Sequence, residues 1–222
     1  MIKRLALVGV LLINLFAASI ALSPLAADAA TLVAVRPSTL AASGWEPWLF
    51  DPAPTPTPTI TFQSGPGTPP AGQGSVHFAV GAQGGDAAMV RYKNAVGVAL
   101  ADVTTLTYST YVTTPGNGQQ APYLSIYVDL NNDGNWVSGT DDRLFFEPVY
   151  QNGTYPQAIG VTIPNQCGLD LICVNTGEWQ TWDAKNGGWR ADSIGANQHT
   201  LASYAALQPG AKIVNQGALG GV

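Results

Sequence analysis

The chain has 222 residues, 14 acidic against 9 basic, and only 10% of its residues are charged, where about a quarter is usual. An apolar fraction of 46% excludes a disordered polyampholyte, and the acidic balance argues against nucleic-acid binding, which needs a basic surface. With 25 Gly and 16 Pro and few Glu or Lys, Thr, Ser, Asn and Gln must fill the solvent-facing positions, a habit of sheet faces and turns.

Residues 1–29 read as a secretory signal peptide. Lys3 and Arg4 precede an apolar run over residues 5–22, and Ala27-Asp28-Ala29 supplies an A-x-A-type site with cleavage after Ala29. The run is about as short as a spanning helix can be and no second such run follows. The expected product is therefore secreted or periplasmic, without a transmembrane anchor after cleavage. In an oxidising compartment the close pair Cys167 and Cys173 is expected to form a disulfide clamping its own loop.

Residues 30–64 form an N-terminal lead-in whose Pro/Thr-rich stretch, Pro52-Ala53-Pro54-Thr55-Pro56-Thr57-Pro58, suits an edge or a loop. A sandwich domain over 65–222 follows without a separating linker. Period-two alternation predicts strands around 76–80, 106–112 and 124–128, and 87–92 and 144–149 also read as strands. Residues 178–190 read as a hairpin turning at Asn186-Gly187-Gly188. One helix is expected: Thr200 caps residues 201–207, with Leu201, Tyr204 and Ala205 on one face, and Pro209-Gly210 stops it. A further strand starts at Lys212. Short strands at this spacing predict an all-β fold, a jelly-roll β-sandwich with one short helix in its C-terminal half. The finish at Gly220-Gly221-Val222 suggests that the last strand or strands are missing.

The most informative segment is Asp129-Leu130-Asn131-Asn132-Asp133-Gly134-Asn135. Asp129, Asn131 and Asp133 occupy positions 1, 3 and 5 of a D-x-N-x-D-G loop, Gly134 falls at the sharp turn, and Asn135 offers its carbonyl at position 7. Position 12 is Thr140 instead of a bidentate Glu, so Asp141 or Asp142 would complete the set. The spacing predicts a structural calcium ion held between two strands. The competing reading is an Asx-rich turn whose side chains cap their own backbone.

Rings and carboxylates supply the other candidates. Six Trp and eight Tyr are many for so uncharged a chain, and exposed rings stack on the apolar faces of sugars. Tyr127, Trp136, Trp182 and Trp189 are the expected ligand contacts. Trp179 and Trp182, three apart in a strand, should point to opposite faces, one buried and one exposed. Glu147 and Glu178 could serve as a glycosidase-type pair if they converged across a groove, the basis of an alternative reading as a lyase or hydrolase. His77 and His199 are far apart in sequence and read as face or cap residues, and Gly-x-Ser-x-Gly does not occur.

The sequence resembles a group of largely uncharacterised bacterial exported proteins. The resemblance rests on the Gly-Pro-x-x-Pro-Pro-x-Gly-x-Gly-Ser stretch at 65–75, Tyr-Ser-Thr-Tyr at 108–111, Pro-Tyr-Leu-x-Ile-x-Val-Asp at 122–129, Phe-Glu-Pro-x-Tyr at 146–150 and Trp-x-x-Trp-Asp at 179–183. It covers residues 44–222 and implies a jelly-roll sandwich similar to galactose-binding and carbohydrate-binding modules. The functions expected are an exported, non-catalytic module that binds glycan or acts at the cell surface, or a purely structural component of envelope or matrix.

Overall fold

The computed structural model describes residues 35–51, 57–81, 85–115, 119–169 and 172–222. The expected signal peptide and residues 52–56 of the Pro/Thr stretch lie outside them. Eleven strands are described: β1 (Trp45–Phe50), β2 (Thr59–Ser64), β3 (Gly74–Ala79), β4 (Ala87–Tyr92), β5 (Thr107–Tyr111), β6 (Leu124–Asp129), β7 (Asp142–Phe146), β8 (Trp179–Asp183), β9 (Trp189–Ala191), β10 (Gly195–His199) and β11 (Lys212–Ile213). One α-helix, α1 (Leu201–Leu207), joins β10 to β11. The strands form antiparallel ladders: β1–β4, β2–β3, β5–β8, and a five-stranded sheet in the order β10-β9-β7-β6-β11. Among the described residues no sheet closes into a barrel, and no helix is long and apolar enough to cross a membrane.

The five-stranded sheet gives its inner face to the core. Ile126 and Val128 of β6, Leu144 and Phe146 of β7, and Trp189 of β9 are each at most 1% exposed. They pack with Trp182 of β8 and with Leu201 and Tyr204 of α1. Both buried indoles are satisfied: Trp182 Nε1 donates to Thr110 Oγ1 at 2.9 Å and Trp189 Nε1 to the Ala184 carbonyl at 2.7 Å. The helix starts where the sequence places it, with Thr200 Oγ1 accepting the Ser203 N–H at 3.1 Å. The Cys167–Cys173 disulfide is formed.

Two expectations are corrected. The strand at 144–149 ends at Phe146, and Pro148–Tyr150 forms a 3-10 turn, because Pro148 has no N–H for the ladder and its fixed φ suits a first helical position. The lead-in contains β1, which pairs with β4 over six residues, and β2, which pairs with β3. Pro47 is tolerated there because, among the described residues, β1 pairs with β4 alone.

The hairpin expected over 178–190 is absent although both its strands exist. β8 pairs with β5, and β9 with β7 and β10. Glutamine amides take the bonds a hairpin partner would have made. Gln166 accepts the Asp183 N–H at 2.8 Å and donates to the Asp183 carbonyl at 3.0 Å. Gln151, fully buried, does the same to Gly188 at 2.8 and 2.9 Å. Each amide copies one rung of a ladder, satisfying the backbone of Asp183 where the chain leaves one sheet and of Gly188 where it joins the next.

Residues 220–222 cross between two ladders. The Val222 carbonyl accepts the N–H of Tyr92 in β4, and the Gly221 carbonyl that of Tyr127 in β6 at 2.8 Å. Arg91, 4% exposed, donates Nε to the Gly220 carbonyl at 2.8 Å. The Gly220 N–H goes to Glu46, which also binds Lys93 at 2.8 Å. Burial works to raise the Glu46 carboxyl, but Lys93 and the Gly220 N–H outweigh it and hold the group below its ordinary range.

Candidate functional site: the aspartate loop and the sheet face beside it

β6 delivers Asp129 to the loop and β7 resumes at Asp142, directly across from Val128. Asp129, 3% exposed, draws the first turn around its carboxylate: Oδ1 accepts the Asn132 N–H at 2.6 Å and Oδ2 the Gly134 N–H at 2.8 Å. That curl puts Asn132 and Gly134 in the left-handed region, at φ 61° and 81°, conformations that Asn and Gly adopt most readily. Two further Asx turns follow. Asn131 Oδ1 accepts the Asp133 N–H at 3.0 Å and Asp133 Oδ1 the Asn135 N–H at 2.8 Å. The Asn135 N–H and the Asn131 amide hold the exposed Asp133 carboxyl below its ordinary range. Asp141 closes the far side by accepting the N–H groups of Leu130 and Val137 at 3.0 and 2.8 Å.

Backbone capping is therefore what these side chains are seen to do, and each oxygen of Asp129, Asp133 and Asp141 keeps acceptor capacity beyond its one bond. Asp142 differs. It is fully buried, takes N–H groups from Arg143 and Ser193, and accepts the hydroxyls of Tyr204 and Ser193. Its carboxylate is turned to the core and spent there, which removes it from the expected ligand set. Among the described residues no three His, Cys, Asp or Glu side chains form a metal-holding group. A cation at the loop would thus draw on Asn131, the Asn135 carbonyl and water besides Asp129 and Asp133. Behind the loop a cavity of about 140 Å³ is lined by Asp129, Asn132 and Gly134 on one side and by Val96, Lys212 and Ile213 on the other. That is below the ~300 Å³ at which pockets begin to enclose organic ligands.

Two of the four expected ligand-contacting rings are in the core. Trp182 and Trp189 are at most 1% exposed, so neither can meet a surface ligand. Trp179 is half-buried, its Nε1 donating to the Pro66 carbonyl at 2.8 Å. Tyr127 is 9% exposed: Arg91 stacks on its ring at 5.1 Å, Arg143 at 5.9 Å, and Trp136 meets it edge to face at 5.0 Å. Trp136 in turn donates Nε1 to the Asp142 carbonyl at 2.9 Å, so this ring braces the loop against the sheet.

The two glutamates have separate partners. Glu147, just past β7, forms an ion pair with Arg190 of β9. Glu178, exposed before β8, accepts from Asn175 Nδ2 at 2.6 Å. His77 lies against Thr61 Oγ1 at 3.4 Å in the β2–β3 ladder, and His199 is buried beside Ser203. The residues that sequence reading missed are Arg143, Phe145 and Arg190, on the outer face of the five-stranded sheet. Arg143, Phe145 and Glu147 alternate with the buried Asp142, Leu144 and Phe146, so period two was the signal that could have found them.

No protein-family model, curated protein or solved structure matches the chain. The class defined by fold and site is accordingly a β-rich, disulfide-bearing protein in antiparallel sheets with a self-capped aspartate loop.

Proposed function

We propose that this chain is an exported, non-catalytic jelly-roll β-sandwich that binds glycan at or beyond the cell surface, its 129–142 loop closed by a structural calcium ion. The observation that carries the reading is the curl of the loop around Asp129, with Asn132 and Gly134 drawn onto one carboxylate at 2.6 and 2.8 Å. Asp129, Asn131, Asp133 and Asn135 follow one another on this short turn in the spacing that suits a hard cation. The ion would offset the repulsion of Asp129 and Asp133 and hold the connection between two core strands. The disulfide suits an oxidising compartment. The separate partners of Glu147 and Glu178 favour a binding module over a carboxylate-pair hydrolase. Thermal melting in calcium and in chelator tests the ion: the midpoint should rise with calcium, and an unchanged midpoint rejects it. Binding to a panel of polysaccharides tests the glycan.

A further inference from the structure

We propose that the outer face of the five-stranded sheet is a platform for a neutral glycan chain seated over Phe145. This rests on the reading of the protein as a glycan-binding module, and adds where the ligand lies and which glycans it would be.

Phe145 sits between two ion pairs. On its own strand Arg143 and Glu147 flank it on the same face, and on β9 Arg190 stands directly opposite. Arg143 reaches Asp192 at 3.5 Å, and Arg190 pairs with Glu147. The Arg143 guanidinium lies over the Phe145 ring at 4.4 Å, and Tyr123, 53% exposed, tilts toward that ring at 6.4 Å. Arg190 stacks on Tyr150 at 4.9 Å. The side chains of Arg143, Arg190 and Glu147 remain 37%, 30% and 26% exposed, so the face is open to solvent.

A sugar ring presents an apolar C–H face and a rim of hydroxyls that both donate and accept. The face offers the complement: the exposed Tyr123 ring beside the partly exposed Phe145, on which Arg143 lies, for the first, and guanidinium and carboxylate groups on both sides for the second. Stacking on rings and pairing across strands already holds the two arginines, so ordering them on binding costs little. Arg143 Nε faces Asp192 at 3.5 Å, so any donation to a ligand falls to the rest of its partly exposed guanidinium. Two guanidiniums against two carboxylates cancel, and the chain carries a net charge of −5. Nothing draws in a polyanion, so the ligand class is a neutral glycan.

The test uses the full chain in affinity electrophoresis and pull-down against cellulose, xylan, mannan, starch and β-1,3-glucan, with alginate and polygalacturonate as acidic counterparts. Phe145→Ala and Tyr123→Ala should each weaken binding to a neutral polysaccharide about tenfold or more. Ile159→Ala, at a fully exposed turn, should leave it unchanged. Added salt should have little effect. Should Phe145→Ala fail to fold, Tyr123→Ala and Arg143→Gln carry the decision. Neutral-glycan binding that survives the face variants overturns this site and leaves the module reading standing. Binding to the acidic polymers alone overturns the ligand class, and binding to none overturns both readings.

Discussion

Tyr204 donates its hydroxyl to Asp142 Oδ2 at 2.7 Å, with both side chains sealed from solvent, and this bond ties α1 to the first residue of β7. Burial, reinforced by the neighbouring carboxylate, pushes ionisation of the Tyr204 hydroxyl far above its ordinary range, so it remains a donor at any working pH. Tyr204→Phe removes one of four donors to a buried carboxylate and should cost about 1–3 kcal/mol in urea unfolding. Asp142→Ala strands the Tyr204 and Ser193 donors together and should cost more than Tyr204→Phe. Equal stabilities for wild type and both variants would refute the role of this junction.

The glutamine rungs predict a polar core with little tolerance. Gln151→Leu leaves the buried Gly188 N–H without its partner and the Gly188 C=O with only the longer bond from Gln198 Nε2 at 3.4 Å, which should cost about 2 kcal/mol or more. Gln151→Glu keeps the acceptor and loses the donor while adding charge, and should be no better. Chemical denaturation of the three proteins side by side gives the ranking.

The glycine at 221 is required by contact, since a Cβ there would overlap the Val214 carbonyl. Gly221→Ala must push residues 220–222 away from Tyr127 or displace Val214. It should lower the melting midpoint by several degrees and raise amide exchange at Tyr127, whereas unchanged exchange would place the tail elsewhere.

Burial depresses the His199 imidazole below its ordinary 6.5. The unfolded chain then binds the proton more readily than the fold. His199 costs nothing above about pH 6.5, and stability falls as pH drops below that value toward the depressed one. Melting at pH 7.5 and pH 5.5 should show this loss, and His199→Gln should reduce the difference. A loss of the same size in the variant assigns it to other groups.

Capping and cation binding separate by mutation in the loop. Asp129→Ala removes the acceptor of two N–H groups and should destabilise the protein with or without calcium. Asp133 is exposed and caps one, so Asp133→Ala should chiefly abolish the calcium-dependent rise in midpoint. If calcium raises both variants as it raises wild type, the ion is not held here.

The helix α1 was legible down to its capping Thr200, because cap, apolar face and Pro-Gly stop agree with one another. β3, β5 and β6 were legible from apolar alternation. β10 was not: Gly-Ala-Asn-Gln-His has no apolar period, and it forms on the sheet edge with two buried polar residues, Gln198 and His199. β1 was hidden by Pro47 and its proline-rich sequel. The hairpin at 178–190 failed because turn residues report a turn and not which strand each arm will meet. That choice was made by Gln151 and Gln166, remote in sequence. The aspartate loop was readable from spacing, whereas the fate of Trp182 and Trp189 was not, since an indole able to satisfy its N–H internally is as content in a core as on a rim.

The bracing at Gln151 and Gln166 has a consequence for the medium in which the protein works. Neutral amides that serve as donor and acceptor at once are not weakened by dissolved ions in the way exposed charge pairs are. A scaffold spliced by such rungs should hold its shape from fresh water to brine.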